Sequence, residues 1–462
     1  MASADALKGL MKWLCCEEWQ EPFRELIERH LGPACERAGI AHDELADKIG
    51  RKHVGVLWGC MFEDFLAFDL DDDSNIVDDY LKRRGWKESV PNKRYMTALR
   101  SSVMSLYEVS DIVRDQSFLV RDLLRGGEPV RISEKSATRS LKQWDRIAAR
   151  VVRMGSRVEM AGGVLAFGHE AGETIRETFA ALRKDMLSEV RRSAGRDDEE
   201  PDPFDFDTEV LRHSAFLFTH VWLDDVLERL LNPTLPKLYN SDGDEIAPTT
   251  VHYPLKDACD RAALEDALGA LPDLRRTDDN LWNWTAAATT PAAGKAPKGA
   301  QTFTSIFEDG SVSMGSVELE AETLKLETNS PKRAVKGQAL LDPVIGPFVG
   351  EPVVESQTVA EMRASRSASD GPAPSSTLSS AEERAIVHEA IERHYRGLLD
   401  QPVPMLGNVS PRKAAKTKKG REKLVDWLKL LENSLEQEPD SLMVGYDVRW
   451  MWDELGIADL RR

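Results

Sequence analysis

Long apolar runs are missing from this 462-residue chain. None approaches the roughly 18 residues that a bilayer-spanning helix needs. The opening stretch, Met1-Ala-Ser-Ala-Asp-Ala-Leu-Lys8, lacks the basic-then-apolar order of a secretory signal. Cysteine is scarce too. Cys15, Cys16, Cys35, Cys60 and Cys259 are an odd set with no C-x-x-C pair. That argues against a disulfide framework and a thiolate zinc site, and for a reducing cytoplasm. The glycine signatures of several enzyme classes are absent as well. There is no dinucleotide fingerprint and no nucleophile elbow, and Gly294-Lys295 lacks the frame of a phosphate loop. Hence no catalytic residue, cofactor or metal is expected. Positive charge is outnumbered: the net charge of -18 argues against a membrane-surface protein or a general nucleic-acid coat.

What is present reads as a multidomain α+β chain. Residues 1–101 show helical apolar spacing, with helices over Leu7–Trp19 and Pro22–Leu31. Within them, Ala46, Ile49, Gly50 and Val56 fall at helix-turn-helix positions, which would aim Arg51 and Lys52 at a nucleic acid. Against this, Val54–Leu66 is apolar nearly all round, as in a buried helix. Residues 102–168 switch to a period near two. Strands are expected at Val103–Val113, Ser117–Leu124, Pro129–Ile132, Arg146–Met154 and Arg157–Phe167, forming a small five-stranded barrel, SH3- or OB-like. Its segment 121–157 carries a local charge of +6. Arg131, Arg139 and Arg146 are therefore candidate nucleic-acid contacts, although only Phe118 and Trp144 offer rings for base stacking.

Residues 169–235 read as a helical segment with an acidic linker, 197–207, and a helix over Glu209–Leu231. His213 and His220 would share a face of that helix, with Asp224 beyond, as a conceivable metal site. Residues 236–363 read as a ββαβ-like unit. It has a hairpin through Asp242-Gly243, a loop at 286–302 and a helix from Ser330-Pro331 to Leu341 that Pro343 ends. Segment 364–378 is Ser/Ala/Pro-rich, as in a disordered tether. Asp69–Asn75 and Leu238–Ile246 both fail calcium-loop spacing.

The last segment, 379–462, is the most distinctive. A helix leads to Leu399-Asp-Gln-Pro402-Val-Pro404-Met-Leu406-Gly407. Ser410-Pro411 then starts a new helix, and the run 412–423 carries a charge of +6 and contains Thr417, Gly420 and Arg421. This pattern, L-D-x-P-x-P-x-L-G followed by T-x-x-G-R, resembles the toxin-binding domain of Xre/MbcA/ParS-type antitoxins. It departs from that family at Ala414-Ala415, where leucines are usual, and in the far greater length of the chain. The resemblance implies a small helical domain that docks a protein partner, a toxin in the family's own case. The implied partner-binding residues are Pro402, Pro404, Leu406, Pro411, Arg412, Lys416, Gly420 and Arg421. Two alternatives stand beside it. One is a nucleic-acid-associated protein using the barrel or the Arg51–Lys52 turn. The other is a metal-dependent enzyme built on His213/His220 or on His388/Glu392, which share a helix face.

Overall fold

A computed structural model describes residues 6–193, 201–231, 238–257, 259–287, 301–303, 307, 310–357, 380–437, 443 and 445–461. Of the loop expected at 286–302, residues 288–300 lie outside these, as does the tether expected at 364–378. The chain is mixed α+β and divides into two compact units, Met1–Pro233 with Leu378–Arg462, and Thr234–Thr377. No helix among the described residues is long and apolar enough to cross a membrane.

The first unit opens with α1 (Lys8–Trp13), α2 (Glu17–Ala38), α3 (Leu45–Ile49), α4 (Arg51–Ala67), α5 (Ile76–Arg84) and α6 (Val90–Arg100). Two of the expected helices are placed differently. Helix α2 starts at Glu17 and runs through Pro22 and Pro33, ending only at Gly39, which takes φ +66°. Tertiary packing of Trp19, Phe23, Leu26, Leu31 and Ala34 holds it straight past the prolines. The turn-like α3 spans only five residues, too short for the first helix of a helix-turn-helix. Helix α4 buries Leu57 and everything from Cys60 to Ala67, as its all-round apolarity implied. Asn75 caps α5, accepting from Val77 N–H at 2.8 Å.

Strands β1 (Met104–Val113), β2 (Ser117–Asp122), β3 (Val130–Ile132), β4 (Arg146–Met154), β5 (Arg157–Met160) and β6 (Leu165–Phe167) follow. Antiparallel pairing runs β3-β2-β1-β4-β5, with β6 also on β4. Ser133 N–H donates to the Val158 carbonyl at 3.4 Å, so β3 approaches β5 and the sheet is nearly closed. Alternation explains why β1 is buried on both faces. Tyr107 and Val109 point into the barrel with Phe118, Val120, Ile132 and Ile147. Met104 and Leu106 join the helical core. The single strand expected over Arg157–Phe167 is broken at Gly162-Gly163. There the backbone presses onto α4, and a Cβ on Gly163 would lie 2.8 Å from Cys60 N.

Helices α7 (His169–Ser193), α8 (Pro203–His213) and α9 (Phe216–Leu231) complete this part. Asp202 caps α8, so the acidic stretch from 203 onward is helix rather than linker. The helix expected over Glu209–Leu231 is interrupted at Ser214, whose hydroxyl donates back to Val210 O at 2.6 Å.

A buried polar network crosses the core where α2, α4, β4 and α9 meet. Arg150, 2% exposed, donates to Asp64 and to the Ser102 carbonyl. His30 bridges Asp64 at 3.1 Å and Thr219 at 2.8 Å. Next to it, Glu63 accepts from Gly163 N–H at 2.9 Å, while its other oxygen is buried with no full hydrogen bond among the described residues. Burial pushes the Glu63 carboxyl up to about 7, against the pull of Gly163 N–H and Arg150.

The second unit holds β7 (Leu238–Asn240), β8 (Thr249–Pro254), α10 (Arg261–Gly269), β9 (Leu274–Asp278), β10 (Leu281–Ala286), β11 (Gln301–Phe303), β12 (Val312–Leu319), β13 (Thr323–Thr328), α11 (Pro331–Ile345) and β14 (Val353–Ser356). Its main sheet is six-stranded and antiparallel, ordered β14-β8-β13-β12-β10-β9, larger than a ββαβ unit. Leu264, Leu268, Ala334, Leu341 and Ile345 from the helices pack on Val251, Tyr253, Trp282, Val317 and Leu326 of the sheet. The turn at Asp242-Gly243 forms, with Gly243 at φ +81°. Pro343 does not end α11, which continues to Ile345. Such a proline costs one backbone hydrogen bond. The burial of Leu341 and Ile345 on either side of it compensates.

The described chain closes with α12 (Ser380–Leu398), α13 (Pro411–Ala414), α14 (Lys418–Gln437) and α15 (Arg449–Glu454). Leu399, Val403, Leu406, Leu424, Trp427, Leu428, Met451 and Trp452 form their common core.

Candidate functional site

The proline turn is built from local chemistry. Pro404–Leu406 makes one 3-10 turn, and Gly407 and Asn408 take φ +78° and +60°. Val403 N–H then reaches the Val409 carbonyl at 3.1 Å. Pro411 opens α13, where its missing N–H costs nothing. At the step into α14, the Thr417 hydroxyl accepts from Gly420 N–H at 3.0 Å, acting as the helix cap. A Cβ on Gly420 would collide with the Ala414 carbonyl oxygen. Arg421 Nε donates to the Ala415 carbonyl at 2.6 Å, satisfying one of the orphan acceptors at the end of α13.

These contacts sort the residues expected to meet a partner. Leu406 and Pro411 are buried, and Gly420 and Arg421 serve the α13–α14 corner. Arg412 pairs with Glu454 at 2.7 Å and Asp400 at 3.3 Å. Pro402, Pro404 and Lys416 are exposed. Around Lys416 stand Lys413, Lys418, Lys419 and Lys423, all exposed, none with an ion-pair partner among the described residues. The first turn of α14 carries no acidic residue. Cations at this positive end of a helix dipole are unfavourable, by about 0.3–1 kcal/mol each at the surface. The cluster is therefore held against the helix's own electrostatics.

The opposite end of α14 is anchored on the barrel, which sequence reasoning did not find. Lys429, 8% exposed, pairs with Glu108 of β1. Its ammonium also lies 4.2 Å from the Trp144 ring centroid. Burial lowers the Lys429 pKa, and Glu108 opposes that shift. Glu432, 7% exposed, accepts from Trp144 Nε1 at 2.7 Å, from Trp452 Nε1, and from Arg461 at 2.9 Å. Asn433 Nδ2 donates to the Gln143 carbonyl and to Asp145, both at 2.8 Å. Trp144 itself sits at φ +66°. A bulky residue in that region is strained, and here the indole is fixed by Glu432 and the two flanking cations.

The barrel's basic residues are mostly neutralised within it. Arg131 pairs with Asp111, Arg139 with Asp115 at 2.6 Å, and Arg157 with Glu159. Arg146, 8% exposed, is held by Glu173 at 2.7 Å and the His169 carbonyl at 3.3 Å. Arg51 and Lys52 are exposed at the start of α4.

The histidine constellations do not assemble. His213 ends α8 and His220 lies in α9, where it bonds the Arg29 carbonyl at 2.7 Å. Asp224 is paired with Arg37. His388 packs edge-on against Tyr446, and Glu392 pairs with Arg396. Among the described residues, no three His, Cys, Asp or Glu side chains converge as a metal site.

Residues 60–194 match the model of a family of unknown function, DUF7986. That span includes Glu63, Asp64, Glu108, Trp144 and Arg150, but none of α14. No curated protein matches the chain.

Proposed function

We propose that this chain is a cytoplasmic interaction protein whose C-terminal, antitoxin-like helical segment docks a protein partner with an acidic face, a toxin being the case the resemblance names. The small barrel, SH3- or OB-like, serves as its platform. One observation carries the reading: α14 is clamped from Lys429 to Glu436, whose carboxylate accepts from Gln143 N–H, and its other end is a cluster of lysines with no ion-pair partner among the described residues. Lys418 and Lys429, the near end of the clamp, are separated by about 16 Å at 1.5 Å per residue, so a partner can reach the first turn of α14 without touching the clamp.

The test is capture by the tagged full chain, with and without nuclease, compared with the triple variant Lys416→Glu/Lys418→Glu/Lys419→Glu. A nuclease-resistant protein partner lost in the variant supports the reading. Equal capture by both chains contradicts it. The same free lysines favour a second reading, nucleic-acid association. Nuclease-sensitive capture that weakens steeply with salt would select it.

A further inference from the structure

Between the barrel and α8 lies a cleft of about 730 Å³, within the range of small-molecule sites. It is independent of α14, and all of its lining except Phe204, Asp205 and Thr208 falls inside residues 60–194. The lining is apolar on one side, where Val103, Val120, Val130 and Val151 contribute.

The polar side is rich in donors. Asp122 is fully engaged: Oδ1 accepts from Ser105 at 2.8 Å, Leu124 N–H at 3.0 Å and Arg125 N–H at 2.9 Å, and Oδ2 from Arg125 Nε at 2.9 Å. This fixes Arg125, whose guanidinium reaches the Tyr107 hydroxyl at 3.2 Å and lies 5.1 Å from the Phe204 ring centroid. Tyr107 is 4% exposed, and its own O–H proton has no acceptor among the described residues. Burial raises its pKa, so it remains a donor at neutral pH. Arg153 is exposed and has no ion-pair partner among the described residues. Gly126 and Gly127, at φ +74° and +91°, have open space where a Cβ would be, and their N–H groups donate to no protein acceptor among the described residues. The remaining acids of the lining, Glu128 and Asp205, are solvent-exposed.

We propose that this cleft binds a small organic anion, with a carboxylate or phosphate head on the Arg125–Gly127 and Arg153 donors and an apolar body on the valines. Phe204, 53% exposed despite its size, stands against the Arg125 guanidinium at the head-group end of the cleft.

The test is calorimetry on the full chain with phenyl phosphate, benzoate and inorganic phosphate as probes. Phenyl phosphate or benzoate is expected to bind more tightly than inorganic phosphate, and the tighter of the two names the head group. Arg153→Gln should weaken binding by about tenfold or more, as for loss of a hydrogen bond to a charged group. Arg114→Gln, which removes an equal exposed charge outside the cleft lining, should leave it unchanged. Binding of neither organic anion would overturn the proposal. So would equal binding of inorganic phosphate, or equal losses in the two arginine variants.

Discussion

Replacing Glu63 with Gln should change how the first unit responds to pH. The carboxyl is 4% exposed, and burial outweighs the Gly163 and Gly162 N–H groups and the Arg150 charge that favour its ionised form. Its folded pKa of about 7 stands above the ordinary 4.5. Below pH 4.5 both states hold the proton and the group contributes nothing. Between 4.5 and 7 the unfolded chain releases it while the folded chain retains it, so stability falls as pH rises. A gap of about 2.5 units at 1.36 kcal/mol each makes the loss about 3 kcal/mol, complete above pH 7. The neighbouring Asp64 does not mask this window. Asp64 has a pKa lowered below 3.8, because its hydrogen bond from His30 and the charge of Arg150 outweigh burial. Its contribution is lost only at more acid pH. The Gln amide keeps an acceptor for Gly163 N–H and never ionises. Urea titrations at pH 4.5, 6, 7 and 8, read by hydrogen exchange in peptides of α4 and β4, separate this unit from the other. Relative to Glu63→Gln, the native chain should lose about 3 kcal/mol across that range. Parallel profiles would refute the reasoning.

Gly420→Ala should destabilise the C-terminal segment by about 1–3 kcal/mol, because the added methyl meets the Ala414 carbonyl; thermal unfolding read at Trp427 and Trp452 would show it. A Gly420 variant is therefore a test of folding rather than of a binding surface. Glu432→Ala strands two indole N–H groups and Arg461, and should cost about 3–5 kcal/mol. The expected readout is proteolysis of α14 at protease concentrations that leave the native chain intact. Trp144→Phe keeps the ring but loses the bond to Glu432, for a smaller cost of about 1–2 kcal/mol in the same assay.

Where local chemistry decides structure, the sequence was readable. Arg146–Met154 is a strand with the expected bounds, because alternation and β-rich composition coincide there. Departures arise where a distant contact overrides a local signal. Gly162-Gly163 breaks a strand because α4 lies against it, and prolines 22, 33 and 343 remain inside helices because flanking side chains are buried. The histidine pair failed on one residue, Ser214, whose back-bonding hydroxyl has no strong sequence signature. In the candidate site, the lysine run and the helix start at Ser410-Pro411 were legible. The barrel clamp was not, since Trp144 and Glu432 are 288 positions apart and a buried Lys or Glu reads as surface until its partner is known.

The most direct measurement is a hydrogen-exchange footprint of the full chain with its captured partner bound. Slowed exchange across 402–423, with Lys429–Glu436 unchanged, is the expected result. Protection confined to the barrel cleft or to Thr234–Thr377, with 402–423 exchanging as in the free chain, would contradict docking at the basic end of α14.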